Sequence, residues 1–166
     1  MGSTASQKTG GQVTFEHIVQ INDLTKPELP ILTRFQVWEG LVLRARRPDK
    51  FLVGVDDYEI LEQEPAYMKR CLQLPGLEVV DEITFWHETR IEYQTQPTHT
   101  VPAATLVMDI EEPEPESLFV RFRYHTASIE NTADAMPYDQ YLHQAYVATD
   151  VETIQIIRQL AETGVF

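Results

Sequence analysis

The sequence has few cysteines and basic residues and no long apolar run, which are the features of disulfide-rich, nucleic-acid-binding and membrane proteins. There is one cysteine, Cys71, in 166 residues, so no internal disulfide can form, which suits a reducing, cytoplasmic compartment. No apolar run approaches the roughly 18–20 residues that cross a bilayer. Basic residues are few, since 13 Lys and Arg stand against 26 Asp and Glu for a net charge of −13. That charge repels phosphate backbones and anionic membranes, so we expect neither nucleic acid nor a membrane as partner.

Signatures of bound metals and nucleotides are missing as well. The five histidines lack ligand spacing, and there is no His-Glu-x-x-His element and no cysteine pair. A Gly-x-Ser-x-Gly nucleophile element and a glycine-rich nucleotide fingerprint are also missing. We therefore expect no metal and no cofactor.

The rest of the composition is that of a globular protein. Hydrophobic residues make up 43% of the chain, and a domain of this size buries roughly 70% of its unfolded surface. Residues 1–12 are polar and rich in Gly, Ser and Thr, so we expect a disordered lead. Residues 13–166 are expected to form a single domain.

Near the N-terminus the sequence predicts one strand and one well-capped helix. Apolar and polar residues alternate over residues 13–21, which is the pattern of a half-buried strand. Thr33 and Gln36 have the spacing of a capping box, apolar residues then follow at helical spacing, and Pro48 ends the helix. The last turn holds three basic residues that we expect to be solvated: Arg44, Arg46 and Arg47.

After this helix, strand-like segments recur about every ten residues, a spacing typical of an antiparallel meander. The six segments are residues 55–63, 67–74, 77–85, 89–96, 103–111 and 118–125. A long helix over residues 137–163 follows, with Pro137 in its first turn and Gly164 as its C-terminal stop.

This order of elements predicts an α+β helix-grip fold. A curved seven-stranded antiparallel sheet would wrap around the long C-terminal helix, and the helix inserted after the first strand would close the open end of the sheet. A grip of this kind leaves an internal cavity between sheet and helix, for which we expect about 300–1,000 Å³.

Four segments resemble the AtaL-like family of the START-like, polyketide cyclase (SRPBCC) superfamily. They are FEHIVQIND (15–23), LTRFQVWEGLVLRARRPDKFL (32–52), LFVRFRY (118–124) and YLHQAYVATDVETIQIIRQL (141–160). The resemblance implies the same helix-grip fold. It also implies a function within the range of the superfamily, whose members bind lipids, hormones or polyketides or act as cyclases, aromatases or dehydratases. Some members of the family resemble accessory proteins of fungal secondary metabolism.

Three polar residues interrupt the apolar pattern of the face that should point inward: His17, Asp81 and Tyr93. A three-residue hairpin loop at 86–88 would place Ile83 opposite Ile91 and Asp81 opposite Tyr93. Because buried polar groups need partners, the three side chains should be bonded to one another, to water or to a ligand. They are our candidates for acid–base catalysis, with a structural pair in a closed core as the alternative.

Aromatic and apolar side chains should complete the lining of the cavity. Besides the three polar residues, the expected lining is Trp38, Met108, Phe122, Tyr138, Tyr141 and Leu142. Rings with polar tips suit flat or oxygenated molecules, although the same spacing also serves plain core packing. Arg121 and Arg123 alternate with the inward residues and should form ion pairs with Asp109 and Glu111 on the outer face.

Three functions remain open at this point. The first is the binding of a small hydrophobic or aromatic, partly oxygenated molecule in the cavity, in secondary metabolism. The second is a cofactor-free polyketide cyclase, aromatase or dehydratase that uses the acid–base residues. The third is an interaction module whose cavity is filled by side chains. The sequence also leaves open whether two chains pair as a homodimer.

Overall fold

The computed structural model describes the backbone of residues 8–9, 12–127 and 135–166, and the side chains of residues 14–126 and 140–166. Of the predicted disordered lead, residues 1–12, only Lys8, Thr9 and Gln12 fall within the described backbone.

Within the described backbone, eight strands pair in an antiparallel manner in one sheet. In chain order they are β1 (Lys8–Thr9), β2 (Gln12–Gln20), β3 (Asp57–Glu64), β4 (Tyr67–Leu74), β5 (Leu77–Trp86), β6 (Arg90–Thr95), β7 (Ala104–Glu114) and β8 (Ser117–Ala127). Their order across the sheet is β1-β2-β8-β7-β6-β5-β4-β3. The predicted curved, seven-stranded antiparallel sheet is confirmed in β2–β8, and β1 adds a two-residue strand beside β2.

The inserted helix, α1 (Arg34–Arg46), begins at the predicted capping box. The Gln36 amide donates to Thr33 Oγ1 at 3.1 Å, and the Thr33 amide donates to Gln36 Oε1 at 2.9 Å. Together these bonds satisfy amide groups that no helical carbonyl can reach. A short 3₁₀ turn, Pro48–Lys50, follows the helix, in agreement with the predicted stop at Pro48.

The C-terminal helix, α2 (Ala135–Glu162), is 28 residues long and packs against α1 and β2. Gly40 of α1 lies so close to α2 that an added Cβ would stand 2.5 Å from Ile157 Cγ1. Arg158 of α2 donates to the carbonyl oxygens of Pro30, at 2.6 Å, and Ile21. These contacts hold both helices over one face of the sheet, which we call the inner face.

The middle of the inner face forms a closed hydrophobic core. Its most buried side chains are Ile83, Ile91, Met108, Val120 and Phe122, each with 0% exposure, and α1 adds Val37 and Leu41 at 0%. This packing is the product of period-two alternation in the strands, which directs every second side chain toward the helices.

The predicted register between β5 and β6 was wrong by two residues. Ile83 lies opposite Tyr93, and Asp81 lies opposite Thr95, because Trp86 pairs with Arg90 and the loop comprises residues 87–89. A shift of two leaves the parity unchanged, so the residues predicted to point inward still do so. The partners across the strand pair are nevertheless different.

The predicted ion pairs of the outer face are confirmed. Arg121 Nε donates to Glu111 at 2.6 Å and its Nη1 donates to Glu16 at 2.5 Å. Arg123 pairs with Asp109, which also accepts from Arg90 Nε at 2.6 Å. These basic residues therefore point away from the helices.

Candidate functional site

A cavity of about 210 Å³ lies at one end of the inner face. Thr95, Ala104 and Thr126, which lie side by side in β6, β7 and β8, form its floor. The lining also includes Arg44 of α1 and Tyr146 of α2. The cavity is smaller than the expected range because large apolar side chains fill the middle of the inner face.

A buried ion pair forms one side of the cavity. Arg70 of β4 and Asp81 of β5 are opposite each other in the sheet, and Arg70 Nη2 donates to Asp81 Oδ2 at 3.2 Å. Thr95 Oγ1 donates to the other carboxylate oxygen at 2.7 Å. Arg70 Nη1 also donates to the Ala45 carbonyl at 2.8 Å, at the C-terminal end of α1. Asp81 is thus bonded to Arg70 and Thr95, and not to Tyr93 as the sequence suggested.

Two cations flank the ring of Tyr93. The guanidinium carbons of Arg44 and Arg70 lie 5.4 and 5.2 Å from the ring centroid, within the range of cation–π attraction. Tyr93 is only 4% exposed, and in the described part of the chain its hydroxyl has no hydrogen-bond partner. An unpaired buried hydroxyl costs free energy, so an acceptor that reached this group would stabilise it.

Arg44 is held in place from the opposite helix. Its Nε donates to Thr153 Oγ1 of α2 at 3.3 Å. Burial by itself would lower the pKa of Arg44, but Tyr93, Tyr124 and Asp150 nearby outweigh burial and raise it. The guanidinium is therefore a permanent positive charge. The expectation that Arg44 is solvated was wrong, because the side chain is 5% exposed, whereas Arg46 and Arg47 are exposed as expected.

His17 belongs to a second cluster, behind the cavity. Its Nε2 donates to Asp150 Oδ2 of α2 at 2.7 Å, and the Tyr124 hydroxyl donates to the same oxygen at 2.6 Å. Asp150 is fully buried. Burial, followed by the negative charge of Asp150, raises the pKa of Tyr124, which therefore stays protonated. His17 is not in the cavity lining and is separated from it by Tyr124.

Tyr124 and Tyr146 form an aromatic side of the cavity. Their rings stack 3.8 Å apart and within 6° of parallel. Tyr124 comes from β8 and Tyr146 from α2, so this stack connects helix and sheet beside the opening. Aromatic rings and aliphatic side chains in the same lining favour a flat, mainly apolar guest.

The other residues predicted to line the cavity lie elsewhere. Trp38 contacts Phe85 and His87 edge-on, near the β5–β6 turn. Met108 and Phe122 are in the closed core, Leu142 is partly buried and Tyr141 is 72% exposed. The side chain of Tyr138 is outside the described residues.

Sequence reasoning missed both arginines of the cavity. Arg70 could have been found, because it interrupts the apolar parity of Met68 and Leu72 in β4, the same signal that identified Asp81 and Tyr93. Arg44 gave no comparable signal. A basic residue in the last turn of a helix is ordinarily solvated, and its burial depends on how α2 packs over it.

In the part of the chain that the structure describes, no three His, Cys, Asp or Glu side chains come together as a group that could hold a metal. Among the same residues, no helix combines the length and apolarity needed to cross a bilayer.

Solved structures with the same fold include aromatase/cyclases. The di-domain ARO/CYC StfQ from the steffimycin biosynthetic pathway superposes with a TM-score of 0.70 at 14% identity, covering 93% of this chain and 52% of StfQ. The Zhui aromatase/cyclase from Streptomyces sp. R1128 has a TM-score of 0.65 at 17% identity, covering 93% and 96% of the two chains. Ara h 8.0201 follows with 0.63 at 12%, covering 92% and 99%. The chain thus spans about half the length of the di-domain protein.

These identities are low enough that the likeness concerns the fold alone. No curated protein matches the sequence significantly. A family model does match it, over residues 19–164, which include both helices and strands β3–β8. The chain therefore belongs to the AtaL family, described as acetylaranotin biosynthesis cluster protein L.

Proposed function

We propose that the protein binds a small, flat, partly oxygenated molecule in the cavity beside Tyr93, in a biosynthetic pathway of the cytoplasm. The observation that carries this proposal is Tyr93, which lines the cavity and whose buried hydroxyl donates no hydrogen bond to any described residue. A guest oxygen would satisfy it. The family description, which refers to a biosynthesis cluster, supports the metabolic setting.

The size of the cavity limits the guest. A cavity of about 150 Å³ is enough for benzene, so 210 Å³ admits roughly one substituted ring. Leu52, Leu72, Val79 and Leu106 provide aliphatic contacts for such a ring. Larger molecules would have to extend through the opening.

The proposal is tested with two one-ring probes, one with two hydroxyl groups and one with a single methyl group and no oxygen. We expect resorcinol to bind more tightly than toluene, and Tyr93→Phe to weaken resorcinol binding by about three- to tenfold, the value of one hydrogen bond. Isothermal titration calorimetry measures both. Tyr67→Phe is the matched control, because the Tyr67 hydroxyl donates to Glu82 and does not line the cavity. The proposal fails if no one-ring probe binds, or if the two variants bind resorcinol equally well.

A second candidate function is cyclisation or dehydration of a polyketide-like substrate. Two buried guanidinium groups over the phenol ring of Tyr93 favour it, because cationic groups in a cavity stabilise the negative oxygen of an enolate as it forms. Of the candidate acid–base residues, Asp81 is engaged by Arg70 and His17 by Asp150, whereas the Tyr93 hydroxyl donates to no described residue.

This second function is tested with a 3,5,7-trioxooctanoyl thioester as probe. We expect the protein to accelerate formation of aromatic product over buffer, and Tyr93→Phe to lose about 10²-fold or more of that acceleration. Product formation at the rate seen in buffer removes the enzymatic function and leaves the binding function in place.

A further inference from the structure

We infer that the guest carries a carboxylate, which pairs with the Arg44 guanidinium and accepts a hydrogen bond from the Tyr93 hydroxyl. This inference rests on the proposed binding function and names the chemical class of the ligand: a one-ring aromatic or unsaturated carboxylic acid in its anionic form.

The first support is the charge balance of the cavity lining. Its charged residues are Arg44, Arg70 and Asp81. The carboxylate of Asp81 is occupied by Arg70 and Thr95. Among the side chains that the structure describes, no carboxylate lies within ion-pair distance of Arg44. The lining therefore has one positive charge more than it has negative charges.

Asp150 does not cancel this excess at the cavity. It is absent from the lining, and its Oδ2 already accepts hydrogen bonds from His17 and from the Tyr124 hydroxyl. Tyr124 stands between Asp150 and the guest position and remains protonated. The charge of Asp150 raises the pKa of Arg44, but no ion pair joins the two side chains.

The second support is the geometry of the two donors. Arg44 is fixed by its Nε bond to Thr153 and by its position over the Tyr93 ring, 5.4 Å from the centroid. The Tyr93 hydroxyl is an unused donor more than nine-tenths buried. A carboxylate has two acceptor oxygens, and it can accept from a guanidinium and a hydroxyl at once. A neutral amide carbonyl would leave the buried charge uncompensated.

The excess charge of the cavity lining is positive, whereas the net charge of the whole protein is negative. The chain has a net charge of −13, so a random site on its surface would repel an anion. A buried arginine without a carboxylate partner among the described side chains is therefore a specific feature of this cavity.

Matched probes test the inference: 3,5-dihydroxybenzoate and 3,5-dihydroxybenzamide have the same shape and differ in charge at neutral pH. By titration calorimetry we expect the acid to bind about tenfold or more tightly than the amide. Arg44→Gln should abolish the preference, whereas Arg44→Lys, which keeps the charge, should retain part of it. Arg90→Gln on the outer face is the matched control and should leave the preference unchanged.

The possible results separate the two proposals. Equal or tighter binding of the amide overturns the carboxylate inference and leaves the proposed binding function standing. Binding of neither probe overturns both. If Arg44→Gln does not fold, as judged by circular dichroism, Tyr93→Phe serves in its place. Tyr93→Phe should weaken binding of the acid, and unchanged binding of the acid contradicts the inference.

Discussion

At the scale of single residues, the buried ion pair of Arg70 and Asp81 shows how polar groups are tolerated inside this protein. Both side chains are almost completely buried, at 2% and 7% exposure. Each makes further hydrogen bonds, from Thr95 to Asp81 and from Arg70 to the end of α1, although Arg70 Nε has no partner among the described residues. Such pairs contribute little net stability when intact but are costly to break.

We therefore predict that Asp81→Asn destabilises the protein by about 3–5 kcal/mol, because it leaves the Arg70 charge buried and uncompensated. Urea denaturation followed by circular dichroism measures the loss. Asp49→Asn is the control, since Asp49 pairs with Arg47 at the surface and should change the free energy of unfolding far less. Equal losses in the two variants would contradict the explanation.

A pH-dependent contribution is expected from Tyr67. Its hydrogen bond to Glu82, followed by burial and neighbouring carboxylates, raises the pKa of Tyr67 to about 12 from 10.0. The folded state thus holds this proton more tightly than the unfolded state. The stabilisation is complete below about pH 10, the unfolded pKa, and is lost as the pH rises through about 12.

Wild-type protein should therefore lose its stability advantage over Tyr67→Phe between about pH 10 and 12. Chemical denaturation at a series of pH values measures this difference. Tyr58→Phe leaves the Tyr67–Glu82 bond intact and should follow the wild type through the same range. A constant difference between wild type and Tyr67→Phe would refute the assignment.

Residue identity alone predicted part of the candidate site. Asp81 and Tyr93 were found because each is polar at an apolar position of the strand pattern, and both line the cavity. Arg44 could not be found in this way, because its burial is caused by α2, which is more than 100 residues away in the sequence. Local patterns carry no information on such contacts.

At the scale of helices and strands, the contact between α1 and α2 determines where Arg44 lies in the cavity lining. The two helices touch at Gly40, where no side chain separates α1 from Ile157. This close approach brings Arg44, one helical turn further along α1, to Thr153 of α2.

Gly40→Ala should destabilise the protein by about 1–3 kcal/mol, because the new methyl group would stand 2.5 Å from Ile157 Cγ1. Alanine is otherwise favoured over glycine within a helix by about 1 kcal/mol. In an Ile157→Ala background, where the clash is gone, the same change should be neutral or stabilising. Thermal and urea denaturation of the double-mutant cycle would reveal this coupling. The same effect in both backgrounds would show that the helix contact is not the cause.

Element prediction from the sequence succeeded where signals are local. The capping box of α1, the stop at Pro48 and the six strands after it follow from spacing within a few residues. The β5–β6 register failed by two because the three-residue turn lies at 87–89 instead of 86–88, a position that depends on backbone geometry, with Glu88 at a φ of 53°. A shift of two residues keeps the same side chains on the inner face, but it changes which residues lie opposite each other in the two strands.

At the scale of the whole molecule, the negative net charge and the positive cavity act in opposite directions. A net charge of −13 repels an approaching anion at long range, whereas Arg44 attracts it once it is inside. Salt screens the long-range repulsion far more than it weakens a buried contact.

The association rate of 3,5-dihydroxybenzoate should therefore rise as NaCl increases from about 10 to 150 mM, over which the Debye length falls from about 30 to 8 Å. Stopped-flow fluorescence measures the rate. The neutral amide is the control, and its association rate should stay constant. An association rate for the acid that falls as salt rises would indicate long-range attraction, and would contradict the proposed repulsion by the net negative charge.

The sequence by itself determined the class of fold, the inward and outward faces of the strands and the limits of α1. Capping depends on residues a few positions apart, and the periodicity of strands and helices is repeated over many residues, so single errors in it do not change the result. The tertiary structure alone decided the position and volume of the cavity, the pairing of Arg70 with Asp81 and the burial of Arg44. These features depend on strand register, sheet curvature and the placement of one helix over another. All three are set by contacts between distant residues, which no local pattern specifies.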